Sequence, residues 1–187
     1  QEIVNIKKVL KSNYPNEGKY TRLFENKIEN LLAVKHAICV TSGTISIFLA
    51  LKSLGIGPGD EVIVTPRTFV ASVSSIVLVG ATPIFVDLDK DSQNISIESI
   101  KPAITDKTAA IICVHLAGQP CEMDAIMELA DSYGIFVIED CAQAHGAKYK
   151  ERPVGSIGHV GTWSFCQDKI LTTGGEGGMV STNNIVW

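Results

Sequence analysis

Long apolar runs are missing from this 187-residue sequence: stretches such as Ser75 to Val79 and Ala109 to Val114 fall far short of the roughly 20 residues that span a bilayer. Nothing in it therefore reads as a membrane crossing. A basic stripe is also missing. Lys and Arg number 16 against 20 Asp and Glu, a net charge of −4, and only three residues are arginine, so neither nucleic acid nor an anionic membrane is a natural partner. The five cysteines (Cys39, Cys113, Cys121, Cys141, Cys166) form no CxxC pair and no tight disulfide framework, and no secretory h-region opens the chain. A secreted disulfide scaffold is excluded and a reducing cytoplasm expected. Neither GxGxxG nor a Walker A motif occurs, which argues against a dinucleotide-binding oxidoreductase and a P-loop enzyme. No internal repeat or low-complexity tract is visible.

What is present is 45% hydrophobic residues, ample for a sizeable core in one domain or in one domain plus an appendage. Ile3, Ile6 and Leu10 stand at helical spacing in residues 2–12, and the pattern breaks over 13–18. A second amphipathic segment follows at 21–34, carried by Leu23, Phe24, Ile28, Leu31 and Leu32, with Thr21 placed as a cap. Residues 1–35 are thus expected to form a helical segment ahead of a domain at 36–187. From residue 36 the chain alternates short Val- and Ile-rich runs with amphipathic segments, which predicts an α/β fold with a mostly parallel sheet covered by helices. Seven strands are expected at 37–41, 61–65, 83–87, 109–115, 135–140, 160–165 and 178–182, and helices at 44–54, 69–79, 96–104 and 122–133. The chain opens on Gln1 rather than Met and stops just after the last expected strand, which we read as a piece of a longer protein.

In open α/β sheets ligands lie beyond the carboxyl ends of the strands, so the residues after each run carry the functional reading. Thr41-Ser-Gly-Thr44 precedes a helix: its amides, hydroxyls and Gly43 suit a phosphate, and Ser42 or Thr44 equally suits an ordinary N-cap. Phe69 is either a ring that stacks on a flat ligand or a core residue, and Arg67 either meets an anionic group or faces solvent. His115 has no partner at metal-ligand spacing, so a metal is rejected and His115 is kept as a pocket wall. Asp140 ends a buried apolar strand, where a carboxylate is costly without a cationic partner, and Gln143 and His145 lie just beyond it.

Lys169 stands between the apolar run ending near Cys166 and the cluster Gly174, Gly175, Gly177, Gly178, which permits tight turns. Alone it reads as a solvated loop lysine. Between strand and constricted loop it reads as a partly desolvated, nucleophilic amine able to form a Schiff base. A phosphate cradle, a stacking ring, a buried carboxylate and such a lysine together meet the demands of pyridoxal phosphate.

These segments resemble the DegT/DnrJ/EryC1/StrS sugar aminotransferases. The resemblance rests on residues 34–44, 54–63, 80–87, 114–120 and 137–147 and on Ser164 to Gly178. It implies the three-layer large domain of a fold type I, aspartate-aminotransferase-like, pyridoxal-phosphate-dependent transferase. It further implies Lys169 as the Schiff-base lysine, Asp140 against the pyridine nitrogen and Gln143 near the ring hydroxyl. Ser42, Gly43, Thr44 and Ser164 would hold the phosphate and Phe69 would stack on the ring; read from the residues themselves, His145 and Arg67 are the candidates to face substrate. The implied reaction is amino transfer, usually from glutamate, to a nucleotide-linked keto-sugar in amino-sugar or surface-polysaccharide biosynthesis, by a homodimer with shared active sites. A sugar dehydratase of this family replaces the lysine with histidine, and Lys169 argues against it; a noncatalytic relative is the other alternative. Family chains run to about twice this length, with a small C-terminal domain that this sequence lacks.

Overall fold

The computed structural model describes residues 2–12 and 18–186. Most of the expected break at 13–18 lies outside them. The chain forms α1 (Glu2–Lys11), α2 (Lys19–Leu32), β1 (His36–Val40), α3 (Gly43–Ser53), β2 (Glu61–Val64), α4 (Val70–Leu78) and β3 (Thr82–Phe85). Next come α5 (Ile97–Ile100), β4 (Thr108–Val114), α6 (Met123–Tyr133) and β5 (Phe136–Asp140). A short hairpin, β6 (Lys148–Tyr149) and β7 (Arg152–Pro153), precedes β8 (Val160–Ser164) and β9 (Gly178–Thr182). Among the described residues no helix is long and apolar enough to cross a membrane.

Seven strands form one sheet in the order β1-β9-β8-β5-β4-β2-β3. The pairs β8–β5, β5–β4, β4–β2 and β2–β3 are parallel, while β9 runs antiparallel to both β1 and β8. Six strands therefore share a direction and one is reversed. The central strands are apolar because both faces are covered: β4 is buried from Ala110 through Val114. On one face Ile47 and Leu51 of α3 and Ile76 of α4 pack against Val62, Val64, Ile112 and Ile138. On the other, Ile100 of α5 and Met123, Ile126 and Ala130 of α6 pack against Ile63, Ile111 and Val137. The result is the three-layer α/β sandwich with a mostly parallel seven-stranded sheet that the sequence predicts.

Local signals account for most of the boundaries. Helix α6 buries Met123, Ile126 and Ala130, one stripe at helical spacing, and stops at Gly134 in the left-handed region at φ 68°. The helix expected at 96–104 is α5 followed by a 3-10 turn, Lys101–Ala103, because Pro102 has no amide to continue the α-helical ladder. Thr21 does not cap α2: the N-cap is Gly18, which starts the helix three residues earlier and puts Thr21 inside the first turn. Helix α2 packs Phe24 edge-on to Phe165, ring centroids 5.1 Å apart, and buries Leu32 with Trp163 and Met179. From the same helix the Glu25 carboxylate accepts the Cys39 amide at 2.9 Å, and Glu29 accepts the Ala37 amide at 3.2 Å, along edge strand β1. The reversal of β9 and the β6–β7 hairpin are absent from the sequence reading.

Candidate functional site

Strand alternation sends Asp140 and Glu139 to opposite faces of the sheet. Ile138 belongs to the core under α3 and α4 and Val137 to the core under α6, so Asp140 faces the former and Glu139 the latter. At the carboxyl ends of the strands, on the α3–α4 side, lies a cavity of about 260 Å³. Ser42, Gly43, Thr44, Phe69, Asp140, Gln143, Ser164 and Lys169 all line it. Eight of the ten site residues singled out in the sequence thus meet at one place.

Its floor is the start of α3. Ser42 is the N-cap, its hydroxyl accepting the Ile45 amide at 3.3 Å, so the capping reading of this tetrapeptide holds. Gly43 and Thr44 contribute amides of the first helical turn, which have no carbonyl partner within the helix. Two glycines allow this helix start to be approached closely. A Cβ at Gly43 would stand 2.6 Å from Ser164 Cβ, and one at Gly178 would stand 2.3 Å from the Ser42 carbonyl oxygen. Capping and anion binding are compatible here, because the cap consumes one amide and leaves the first two.

Asp140 is only 5% exposed. Its Oδ2 accepts from the Ser72 hydroxyl at 2.7 Å and its Oδ1 from the Ala142 amide at 3.1 Å. Within the described chain its partners are therefore neutral donors rather than the expected cation, and each oxygen keeps acceptor capacity. Gln143 is oriented by a loop on the far side: its Oε1 accepts the Ala117 amide at 2.9 Å, which leaves its NH₂ group free to donate. Ala117 presents that amide from a left-handed conformation at φ 51°.

Lys169 follows β8 by five residues, with its side chain 20% exposed and its amine 3.9 Å from Asp168 Oδ1. The same amine lies 5.9 Å from the Phe69 ring centroid. Phe69 itself is 64% exposed, so it is no core residue. Around Lys169, the Cys166 thiol donates to Glu176 at 3.2 Å, and Thr172 donates to the Phe165 carbonyl at 3.0 Å, folding the glycine-rich segment back over the end of β8.

Two candidates do not reach the cavity wall. Arg67 is exposed and hydrogen-bonds Gln93. His145 packs near Trp163 and Phe165, centroids 5.5 and 5.7 Å away, and neither ring nitrogen has a hydrogen-bond partner among the described residues. Burial, with Lys169 nearby, holds its imidazole below the ordinary histidine range.

His115 is not a pocket wall either. It is buried, its Nδ1 accepting the Cys121 amide at 3.1 Å and its Nε2 meeting Glu139 Oε2 at 3.0 Å. An Nδ1 that accepts an amide carries no proton, so the Nε2–H donates to the carboxylate. Glu139 also accepts amides from Gly155 (2.8 Å), Ile157 (2.8 Å) and Gly158 (2.6 Å). Burial opposes its charge, but the His115 contact and these amides hold the carboxyl below its ordinary value. The fold does bring potential ligand atoms of His115, Glu139 and Cys141 within 4.8 Å of one another, which sequence spacing did not disclose. Burial pushes the Cys141 thiol up to about 12 and the other two are engaged with each other, so the cluster reads as an internally satisfied buried network.

The sequence reading missed Ser72, Thr68 and Ala117. A signal existed for the first: Ser72 and Ser75 fall on the buried stripe of an otherwise apolar helix, and buried hydroxyls need partners.

Comparison with known proteins decides what this arrangement belongs to. The family model of the DegT/DnrJ/EryC1/StrS aminotransferases matches residues 1–185. The chain belongs to this family. It is 52% identical over 169 residues to the GDP-perosamine synthase of Escherichia coli O157:H7, covering 90% of this chain and 46% of that one. The solved aminotransferase of Psychrobacter cryohalolentis superimposes with a TM-score of 0.95 at 57% identity, covering 99% of this chain and 47% of that one. NtdA of Bacillus subtilis, solved with bound cofactor PMP, gives a TM-score of 0.89 at 31% identity over 99% of this chain and 42% of its own. The chain spans about half the length of the relatives it matches.

Proposed function

We propose that the full-length protein is a pyridoxal-phosphate-dependent aminotransferase that moves an amino group, with glutamate as the family's usual donor, onto a nucleotide-linked keto-sugar. The single observation that carries this reading is the convergence of Lys169, Asp140 and the start of α3 on one cavity. Membership of the aminotransferase family supports it, as does the nucleotide-sugar product in the name of the Escherichia coli relative.

The residues fit the group. The Gly43 and Thr44 amides, with Ser42 and Ser164, offer donors where no Cβ obstructs a phosphate. Phe69 offers a ring face, and the Gln143 amide a donor for the ring hydroxyl. Bound pyridoxal phosphate supplies an electron sink for the carbon that carries the amino group. Asp140, held by two donors, would pair its charge with the ring nitrogen. Lys169 would anchor the cofactor, and its amine would serve as the general acid and base that moves a proton at the donor carbon. His145 and Arg67 lie outside the cavity wall, and we assign substrate contact to neither until the second half of the protein is in place.

We further place this chemistry in the cytoplasm, supported by five free cysteines, and in the making of amino sugars for surface polysaccharides. A homodimer is the assembly we propose. Exposed Phe69, Val70, Ile170 and Leu171 by the cavity, with Val77 and Leu78 further along α4, offer apolar surface for a second copy.

Full-length protein incubated with pyridoxal phosphate is expected to show a visible band that borohydride bleaches, leaving a pyridoxyl mass on the Lys169 peptide. A colourless protein without that adduct would sink the reading. A panel of nucleotide keto-sugars then assigns the acceptor, and sedimentation of Val77→Lys beside wild type tests the dimer.

A further inference from the structure

Two hydroxyls in and beside α4, on residues that line the cavity with Asp140, stand in line with its carboxylate. Ser72 Oγ lies 2.7 Å from Asp140 Oδ2, and Thr68 Oγ1 lies 2.8 Å from Ser72 Oγ. The direction of the line follows from proton counting. The carboxylate accepts on both oxygens, so the single hydroxyl proton of Ser72 goes to Asp140. Ser72 can then only accept from Thr68, whose own proton completes the chain. Ser72 is fully buried and Thr68 half-buried, so water cannot readily replace the inner member.

From this we infer that Ser72, oriented by Thr68, is a positioning residue that fixes the rotation of the Asp140 carboxylate toward the cavity. The inference rests on the pyridoxal phosphate reading above. With the Ala142 amide on Oδ1, the Ser72 hydroxyl on Oδ2 pins the second oxygen and so sets the plane of the group. Pinning matters because a charge-assisted hydrogen bond weakens steeply when misaligned, and among the described residues these two donors are what orient the carboxylate. The helix that carries Ser72 begins one residue after Phe69, so one element fixes both the ring face and the carboxylate behind it.

The test compares full-length wild type, Ser72→Ala and Thr68→Val, both near-isosteric changes that delete one hydroxyl. The readouts are the equilibrium Kd for pyridoxal phosphate and the pH midpoint of the visible band. For Ser72→Ala the Kd is expected to rise roughly tenfold, the worth of one buried hydrogen bond to a charged group. Its midpoint is expected to move up, because a less firmly held ring charge helps the lysine nitrogen release its proton less. Thr68→Val should move both readouts in the same direction by less. Unchanged Kd and midpoint in both variants, in a protein whose wild type binds the cofactor, would overturn the inference. Should Ser72→Ala fail to fold, Thr68→Val decides by the same criteria. A wild type that binds no pyridoxal phosphate fails at an earlier step and removes the functional reading together with this one.

Discussion

Gly43 and Ser164 approach so closely that a β-carbon on the first would lie 2.6 Å from the β-carbon of the second. The contact joins the first turn of α3 to the end of β8, two elements separated by most of the sequence. The amides of the helix start and the serine hydroxyl stand this close only because position 43 carries no side chain.

Gly43→Ala is therefore expected to destabilise the full-length protein by roughly 1–3 kcal/mol, the usual cost of overpacking, and to weaken pyridoxal phosphate binding at least tenfold. Urea unfolding and cofactor titration check the two parts. Unaltered affinity with reduced stability would separate the packing role from the phosphate role.

Gln143 is expected to matter through the direction of its amide. Since Oε1 is held by the Ala117 amide, Gln143→Leu removes the free donor and strands that amide at once. A loss of cofactor affinity of about fivefold to tenfold is expected, with a smaller shift in the thermal midpoint. Equilibrium dialysis against pyridoxal phosphate reads the first effect.

Acid should find the Glu139–His115 pair. The folded carboxyl sits below its unfolded value, so its contribution to stability is complete above the ordinary carboxylate range. That contribution is lost as pH falls from about 4.5 through the depressed folded value. Glu139→Gln is expected to lower the urea midpoint at pH 7 and to flatten its decline between about pH 5 and 3. Parallel pH profiles for the two proteins would show that other carboxylates govern acid unfolding.

Ser181 joins two backbone-distant groups in the core, donating to the Gly155 carbonyl at 2.8 Å and accepting from the Trp163 indole at 3.0 Å. Ser181→Ala leaves both unpaired in a dry interior, an expected loss of about 1–3 kcal/mol. Thermal unfolding followed by circular dichroism reports it, and a change within experimental error would mean that the site relaxes or admits water.

The strands were legible because runs such as 110–114 are buried on both faces and therefore apolar throughout. The reversal of β9 was not, since nothing in Gly178–Thr182 states which way its neighbours run. Asp140 was found by the cost of a carboxylate at the end of an apolar strand. The same argument applies to Glu139, and only the pleat decides that one acid faces the cavity and the other the α6 core. His115, Arg67 and His145 sit where strand-end reasoning looks, yet what their side chains meet depends on distant residues: Glu139, Gln93 and the Trp163 ring. Thr21 misled because a good capping residue competes poorly with a helix that has already begun at Lys19.

The carboxylates of Glu25 and Glu29, resting on the amides of β1, do more than hold α2 in place. They act as the missing neighbour of an outermost strand, so that side of the sheet offers few free donors to a foreign peptide. Growth of the sheet by templated addition is thereby discouraged at one margin, and the protein's encounters with other chains are left to its helical flanks and to the opposite rim at β3.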